Sequence, residues 1–385
     1  MKKSILFLGA ALLMAAPIYA QDSKESKLVV KPSGRILFDA GLFDANKEIN
    51  NKLNDGMAIP DARVGFKATY EEWTAKVDIG YAYGKVGLKD IFIEHSLGAK
   101  NLIRGGYFVH QYGLQSATSS SFKISMEEPR SNQALNNSRL LGFMFEHADD
   151  KFLGTFSFFS ETDAMKMTSD KTGNQGIGVM SRLVYHPLTT DGKIFQVGIS
   201  GAYESPRYNS DSQLNHKSYV LSTTWPTRIA SVTSTSATVD NAKALYKFTP
   251  ELVAATSRIG LEAQYFYTAI TRDEGYHSFH TSGGYAALRG LILGKQYKYN
   301  YWDGGIATPA RGNLELVLAY DYLDLSDKKA NILGGRSNDW SATINYYINK
   351  YMIWRVRGSY TKVTDRAGFD NNHFTALETR LQIKF

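Results

Sequence analysis

The chain has 385 residues, of which 13% are aromatic, with 24 Tyr, 33 Gly, 9 Pro and no Cys. Such a composition excludes a disordered chain, which is poor in aromatic residues, and a small disulfide-stapled domain. The formal charge is +7, but the basic residues alternate with apolar ones and form no patch or known module, so no nucleic-acid partner is expected.

The opening MKKSILFLGAALLMAAPIYA carries Lys2 and Lys3, an apolar run from Ile5 to Ala16, and a small Ala20 before Gln21. This reads as a signal peptide over residues 1–20 with export of the rest, because the run is short for a spanning anchor and ends in a cleavage-like site. Loss of Lys2 and Lys3 takes the formal charge from +7 to +5. Residues 21–33 then read as a short periplasmic N-terminal segment, and residues 34–385 as one β domain. No later apolar run has the length of a membrane-crossing helix.

Period-two alternation marks the strands. In Trp73 to Tyr83, the residues Trp73, Ala75, Val77, Ile79, Tyr81 and Tyr83 face one way, while Thr74, Lys76, Asp78, Gly80 and Ala82 face the other. Trp340 to Ile348 repeats the pattern, and only Asn349 and Lys350 separate it from the next run, as in a tight hairpin. There Met352, Trp354, Val356, Gly358 and Tyr360 oppose Ile353, Arg355, Arg357 and Ser359; at the end Leu377, Thr379, Leu381, Ile383 and Phe385 oppose Glu378, Arg380, Gln382 and Lys384. Strand starts are expected near Arg35, Asp61, Trp73, Val86, Asn101, Arg139, Phe152, Ile177, Ile194, Leu245, Arg258, His280, Leu314, Trp340, Tyr351 and Phe374. The predicted fold is all-β, a transmembrane antiparallel barrel of about sixteen strands.

The links support this parity. Short ones at Glu71-Glu72, Gly98 to Lys100, Asp149 to Lys151 and Asn349-Lys350 fall on the periplasmic side; long polar ones at Ala45 to Met57, Val109 to Ser138, Thr162 to Gln175, Ser326 to Ser337 and Thr364 to Asn372 fall outside. Tyr219 to Trp225 looks like a strand, but counting it as a crossing breaks the parity, so Glu204 to Lys243 is assigned to one large external loop. The stretch Gly294 to Gly312 is too long for a periplasmic turn and is expected to pack into the lumen. Val86 to Leu97 has no cleanly apolar face. The third external loop, Val109 to Ser138, is long and polar enough to be expected inside the barrel. A soluble β-sandwich would bury the apolar face instead, and the outward aromatics argue against it.

With the apolar face outward, the inward set is Arg35, Arg63, Lys67, Lys76, Arg104, Arg182, Arg258, Arg289, Arg355, Arg357, Arg380 and Lys384 against Asp39, Asp61, Asp78, Glu262, Glu315, Asp321 and Glu378. An excess of inward Arg and Lys favours anions, although many of these groups can pair across the wall. Arg104 and Arg139 bracket the inward loop, and Lys123 and Arg130 lie on it beside Glu127 and Glu128. Enzyme signatures are poor: Ser, His and Asp lack nucleophile-elbow context, His277 and His280 lack further ligands for a metal, and Gly176-Ile177-Gly178 opens no helix. No cofactor is expected. A passive anion channel leads; a barrel-type enzyme, a surface adhesin and a non-selective porin are the alternatives.

Several blocks resemble the phosphate-selective porin O and P family. They are GRILFDAGLFD (Gly34 to Asp44), DARVGFKATYEEWTAKVDIGYA (Asp61 to Ala82), LKDIFIEH (Leu88 to His95), the loop Gly113 to Glu127 with Thr118-Ser119-Ser120, Phe122 and Met126-Glu127, GNLELVLAYDYLDLSD (Gly312 to Asp327), Gly334-Gly335, NDWSATINYYIN (Asn338 to Asn349) and the ending RLQIKF. The resemblance implies a trimeric sixteen-stranded channel among outer-membrane lipids, its third external loop folded inward, passing small anions and in some members phosphate. It also implies that Phe385 is read by the barrel assembly machinery. Gln115 stands where the family loop usually carries an acidic residue. The pore-lining candidates are Arg35, Arg63, Arg104, Lys123, Arg130, Arg139, Arg289, Arg355 and Arg357.

Overall fold

A computed structural model describes residues 27–46, 52–82, 84–160, 175–206, 217–368 and 372–385. The expected leader and nearly all of the link Thr162 to Gln175 lie outside these residues, as do parts of Ala45 to Met57 and of Thr364 to Asn372.

In chain order the strands are β1 (Val29–Ala45), β2 (Gly56–Ala58), β3 (Asp61–Tyr70), β4 (Trp73–Ala82), β5 (Lys85–Ser96) and β6 (Asn101–Phe108), followed by the short helices α1 (Leu114–Ala117) and α2 (Arg130–Leu135). Then come β7 (Leu140–Ala148), β8 (Phe152–Ser160), β9 (Ile177–Thr190), β10 (Lys193–Glu204), β11 (Ser218–Thr224), β12 (Thr233–Asp240), β13 (Ala242–Thr256), β14 (Ile259–Arg272) and β15 (Phe279–Leu293). The last are β16 (Tyr299–Asn300), β17 (Gly305–Ile306), β18 (Leu314–Asp327), β19 (Ile332–Tyr346), β20 (Met352–Arg366) and β21 (Asn372–Lys384). Setting aside the small strands β2, β11, β12, β16 and β17, each strand pairs antiparallel with its neighbour along the chain, and β21 returns to β1, closing a sixteen-stranded barrel.

The sheet is inside out relative to a soluble protein. On β20, Arg355 and Arg357 are each 2% exposed, whereas Trp354 and Tyr360 are 47% and 44% exposed. The same inversion runs along β21, with Glu378, Arg380 and Gln382 buried and Leu377 exposed. An apolar, aromatic exterior over a charged interior suits lipid and excludes the β-sandwich alternative.

Local departures from the expected strands have physical causes. β1 begins at Val29, so Val29 to Ser33, expected as a periplasmic segment, pair with Gly65 to Thr69 of β3. Ile59-Pro60 interrupts the partner of β1, because proline cannot donate to a ladder. The external link expected at Ser326 to Ser337 is mostly strand: β18 and β19 continue to a turn in which Asp327 accepts from the Lys329 amide at 3.0 Å and Asn331 takes φ 57°. Arg258 lies in the turn between β13 and β14 and not on a strand. In β9, His186 and Pro187 together oppose Gln196, a bulge that accommodates the proline. In β5, Lys89 and Asp90 oppose Asp78 alone; this bulge turns Val86 and Leu88 outward before it and Ile91 and Ile93 outward after it, which is why neither face read as apolar.

Three connections pack on the buried face of the sheet. The stretch between β6 and β7 reaches distant strands: Ser120 accepts from Arg35 at 3.0 Å, Gln115 donates to Tyr285 at 2.8 Å, Ser125 bonds Thr343 at 2.8 Å, and the Lys123 carbonyl accepts from Arg355 at 2.9 Å. Within Glu204 to Lys243, β11 and β12 pair as a separate hairpin, and Trp225, fully buried, meets Phe374 at 5.6 Å between rings. Within Gly294 to Gly312, β16 and β17 form a small hairpin; Tyr297, Tyr299 and Ile306 pack with Leu114, Ile194, Val253 and Leu291. Arg182 holds this hairpin, donating to the Asp303 carbonyl at 2.7 Å and the Gly304 carbonyl at 3.0 Å while pairing with Glu251 at 2.6 Å.

Closure rests on Gly34 and Phe385, whose backbones exchange hydrogen bonds of 2.9 and 3.1 Å. A Cβ on Gly34 would lie 2.7 Å from the Arg63 carbonyl oxygen and would collide with the Phe385 ring, so only glycine lets the ring cover the seam. Replacing Phe385 by Ala should lower the amount of barrel recovered in the heat-modifiable form on gels; unchanged recovery would count against a seam role. Truncating Arg182 to Ala strands the buried Glu251 carboxylate, a change of about 3–5 kcal/mol in typical buried pairs. The expected readout is rapid proteolysis within residues 294–312 of the folded barrel, and a variant as resistant as the wild type would remove Arg182 from the anchoring.

Candidate functional site

The interior is filled unevenly. Pairs under the packed connections, such as Arg182 with Glu251 and Arg289 with Glu315, have side chains 0–3% exposed, whereas Lys76, Asp90 and Arg104 on the opposite wall are 20–26% exposed. Part of the open space therefore lies along β3 to β5. A cavity of about 420 Å³ lies there, between the β3–β5 wall and the loop that carries Glu127 and Glu128. Its wall side presents Arg63, Lys85 and Lys89, and its loop side Glu127, Glu128 and Arg130, with Arg228 from the chain beyond β11. A second cavity of about 780 Å³ lies between Asn132 to Ser138 of the loop and Glu204, Tyr219 and Lys247.

The expected pore-lining residues divide into two groups. Arg35 and Arg63 share Asp61, at 2.9 and 2.7 Å, and both reach Ser120 of the loop. Arg139 pairs with Asp90 at 2.7 Å. Arg104 pairs with Glu94 and lies 4.6 Å from the Phe92 ring. Arg63, Arg104 and Arg139 are on the open side, whereas Arg35, 3% exposed, is buried against Ser120. The others are locked in place. Arg289 bridges Glu315 and Glu262 at 2.9 and 3.3 Å, Arg357 bridges Asp339 and Glu378 at 3.2 and 3.5 Å, and Arg355 spends a guanidinium hydrogen bond on the Lys123 carbonyl. All three are 2–3% exposed, so their place is in the packed part of the wall and not on the lining; Arg355 alone of them bonds the loop, and Arg357 donates to the Pro226 carbonyl at 3.0 Å.

Lys123 and Arg130 also serve the loop itself. The Lys123 ammonium donates to the Gln115 carbonyl and side chain and lies 3.8 Å from Glu128. Burial pulls its pKa below the ordinary lysine value, against Glu128, Glu262 and Asp303. Glu128, although its enclosure works the other way, is held below the usual carboxylate range by Lys123, Arg228 and Arg130. Arg130 touches the cavity but directs its donors to the Thr224 carbonyl at 2.8 Å and to Gln133 at 3.0 Å. Gln115 donates to Glu262 at 3.3 Å, and so ties the loop to a wall carboxylate where an acidic residue would repel it.

Sequence reasoning missed Lys85, Lys89 and Arg228 as cavity cations and Asp90, Glu94, Glu146, Glu251 and Asp339 as buried-face carboxylates. The β5 bulge hid Lys89, Asp90 and Glu94; Asp339 sits ahead of the assumed start of its strand. The added carboxylates shrink the inward positive excess. Chemically, the arrangement offers fixed charges around a polar cavity.

The description of the phosphate-selective porin O and P family matches residues 30–385. An uncharacterized protein of Caulobacter vibrioides is 22% identical over 330 residues, covering 82% of this chain and 64% of that protein, so the chain spans a little under two thirds of that relative's length. Among solved structures, OmpT, an outer membrane protein of Vibrio cholerae in a trimer form, has a TM-score of 0.58 at 9% identity, covering 93% of this chain and 99% of that one. An anion-selective porin from Comamonas acidovorans gives 0.55 at 11% identity, covering 93% and 100%. OmpF of Salmonella typhi in complex with daunomycin gives 0.51 at 12% identity, covering 92% and 97%. At such identities the likeness is one of fold. With the family matched over nearly the whole described barrel, the chain belongs to the phosphate-selective porin O and P family and has its place in the outer membrane of a Gram-negative bacterium.

Proposed function

We propose that the protein is a passive diffusion channel for small anions, phosphate among them, with the loop from Val109 to Ser138 lying across the lumen and leaving a passage along β3 to β5. One observation carries this reading: the cavity between that loop and the wall is lined by five basic side chains, Arg63, Lys85, Lys89, Arg130 and Arg228, against three acidic ones, Asp61, Glu127 and Glu128. Fixed positive charge in a low-dielectric bore concentrates anions and repels cations. The trimer form of a structural relative and the lipid-facing exterior support a homotrimer delivered to the membrane by the barrel assembly machinery.

The general non-selective porin is the second reading, favoured by Glu127 and Glu128 on the loop side of the cavity. A barrel-type enzyme finds less support, because among the described residues the lining includes no Ser or His to serve as nucleophile and base.

In planar bilayers under a salt gradient, the zero-current potential should have the sign of anion preference, and added phosphate should lower the chloride current. Replacing Arg63 by Glu should move that potential toward cations, and the shift should shrink at high salt as the charge is screened. The double change Lys123→Glu with Arg130→Glu should instead alter conductance, since both side chains hold the loop in shape. A cation-preferring or neutral wild-type channel would overturn the anion reading in favour of the non-selective one.

A further inference from the structure

The wall around the cavity holds more positive charge than its carboxylates can meet. Arg35 and Arg63 share the single Asp61, and Lys76 and Arg139 share Asp90, with Asp78 also 2.7 Å from Lys76. Lys89 stands among these groups, and among the described residues no carboxylate pairs with it. Arg63, Arg139 and Arg35 surround it with positive charge, and Asp61, the carboxylate on the other side of the balance, is already bonded to Arg35 and Arg63. Five cations thus face three carboxylates on this wall, and the one among them without a carboxylate partner is a flexible ammonium on the cavity surface.

An ammonium repelled by three guanidinium groups would swing away unless its stem were held. Two features hold it. The β5 bulge places Lys89 and Asp90 opposite Asp78 alone, which lets both successive side chains enter the lumen, and Asp90 is already taken by Arg139 and Lys76. Across the strand pair, Gly80 leaves a notch: a Cβ there would lie 2.5 Å from Lys89 Cε, 3.0 Å from its Cγ and 3.2 Å from Arg63 Cγ. The lysine stem therefore lies flat over Gly80, alongside the Arg63 stem, with its charged end kept among the arginines.

We propose that Lys89 is the specificity-determining residue of the passage, the uncompensated charge a permeating anion neutralises, and that Gly80 positions it. This rests on the anion-channel reading. The arginines are occupied by Asp61 and Asp90 before any solute arrives, so they supply field and geometry. Lys89 is left with donors to offer.

The test is the zero-current potential of the reconstituted full chain in a potassium chloride gradient, with heat-modifiable mobility confirming the fold of each variant. Lys89→Gln should lower the anion-to-cation permeability ratio about fivefold, the effect of one unit charge acting over several ångströms in a partly aqueous bore. Lys89→Arg should retain the preference. Gly80→Ala keeps every charge and should still lower the ratio, with conductance little changed. Because the chain contains no cysteine, Lys89→Cys gives a unique thiol. Its reaction with aminoethyl methanethiosulfonate, which rebuilds a lysine-like ammonium, should restore the preference, and the sulfonatoethyl reagent should push it toward cations. If the wild type shows no anion preference, the channel reading and this inference fall together. If the wild type prefers anions while Lys89→Gln keeps that preference, or the two thiol reagents act alike, the Lys89 assignment alone is overturned. An unchanged ratio in Gly80→Ala would remove the role given to the notch.

Discussion

Hydrocarbon cannot hydrogen-bond a backbone amide, and the architecture follows from that constraint. Every crossing strand must be paired on both edges, so the first strand has to meet the last. Here β1 serves both: its N-terminal half pairs with β3, while the segment from Arg35 to Ala45 pairs with β21. A glycine at position 34 lets the Phe385 ring cover that junction. Closure then fixes which face of each strand meets lipid, and the period-two pattern places Trp354 outside and Arg355 inside without further instruction.

Once closed, the barrel has an interior too wide for wall side chains to fill, and the chain fills part of it with its own connections. These segments carry many polar atoms, and the wall supplies partners for them: Arg182 for the Asp303 and Gly304 carbonyls, Arg355 for the Lys123 carbonyl, Asp321 for the Ser131 amide and hydroxyl. Arg182 can do this because it also meets the Glu251 carboxylate and Gln111, and a planar fork of donors can serve two acceptors at once. Much of the interior charge is therefore structural. Counting inward arginines overstates what a passing ion meets.

That distinction limits what could be read from the sequence. Alternation in Trp73 to Ala82, Met352 to Tyr360 and Leu377 to Ile383 was enough to place strands and faces, because lipid enforces a strict two-sided pattern. It failed where the backbone breaks its own period. The β5 bulge put Lys89 and Asp90 on the same side, and no reading by parity could recover that. The link after β18 looked like a loop because Asp, Lys and Asn crowd there, yet β19 starts at Ile332 and carries Asp339 to Arg357. Arg289, Arg355 and Arg357 were legible as inward but not as buried, since burial depends on the connections that cover them and those come from elsewhere in the chain.

The interior consequently differs from place to place in how fully its charges are paired. Under the packed connections Arg182, Arg289, Arg357 and Arg380 are each matched by a carboxylate, because an unpaired charge in dry protein is costly. Along β3 to β5 water reaches the side chains, and an unmatched cation can be tolerated there at small cost because solvent screens it. A selective charge must satisfy two opposed demands: enough solvent to remain charged without a partner, and enough neighbouring protein for its field to extend across the path. Lys85 at the exposed hairpin tip meets the first demand only, and Arg182 the second only. Between them stands Lys89, half-buried over Gly80, where both conditions hold.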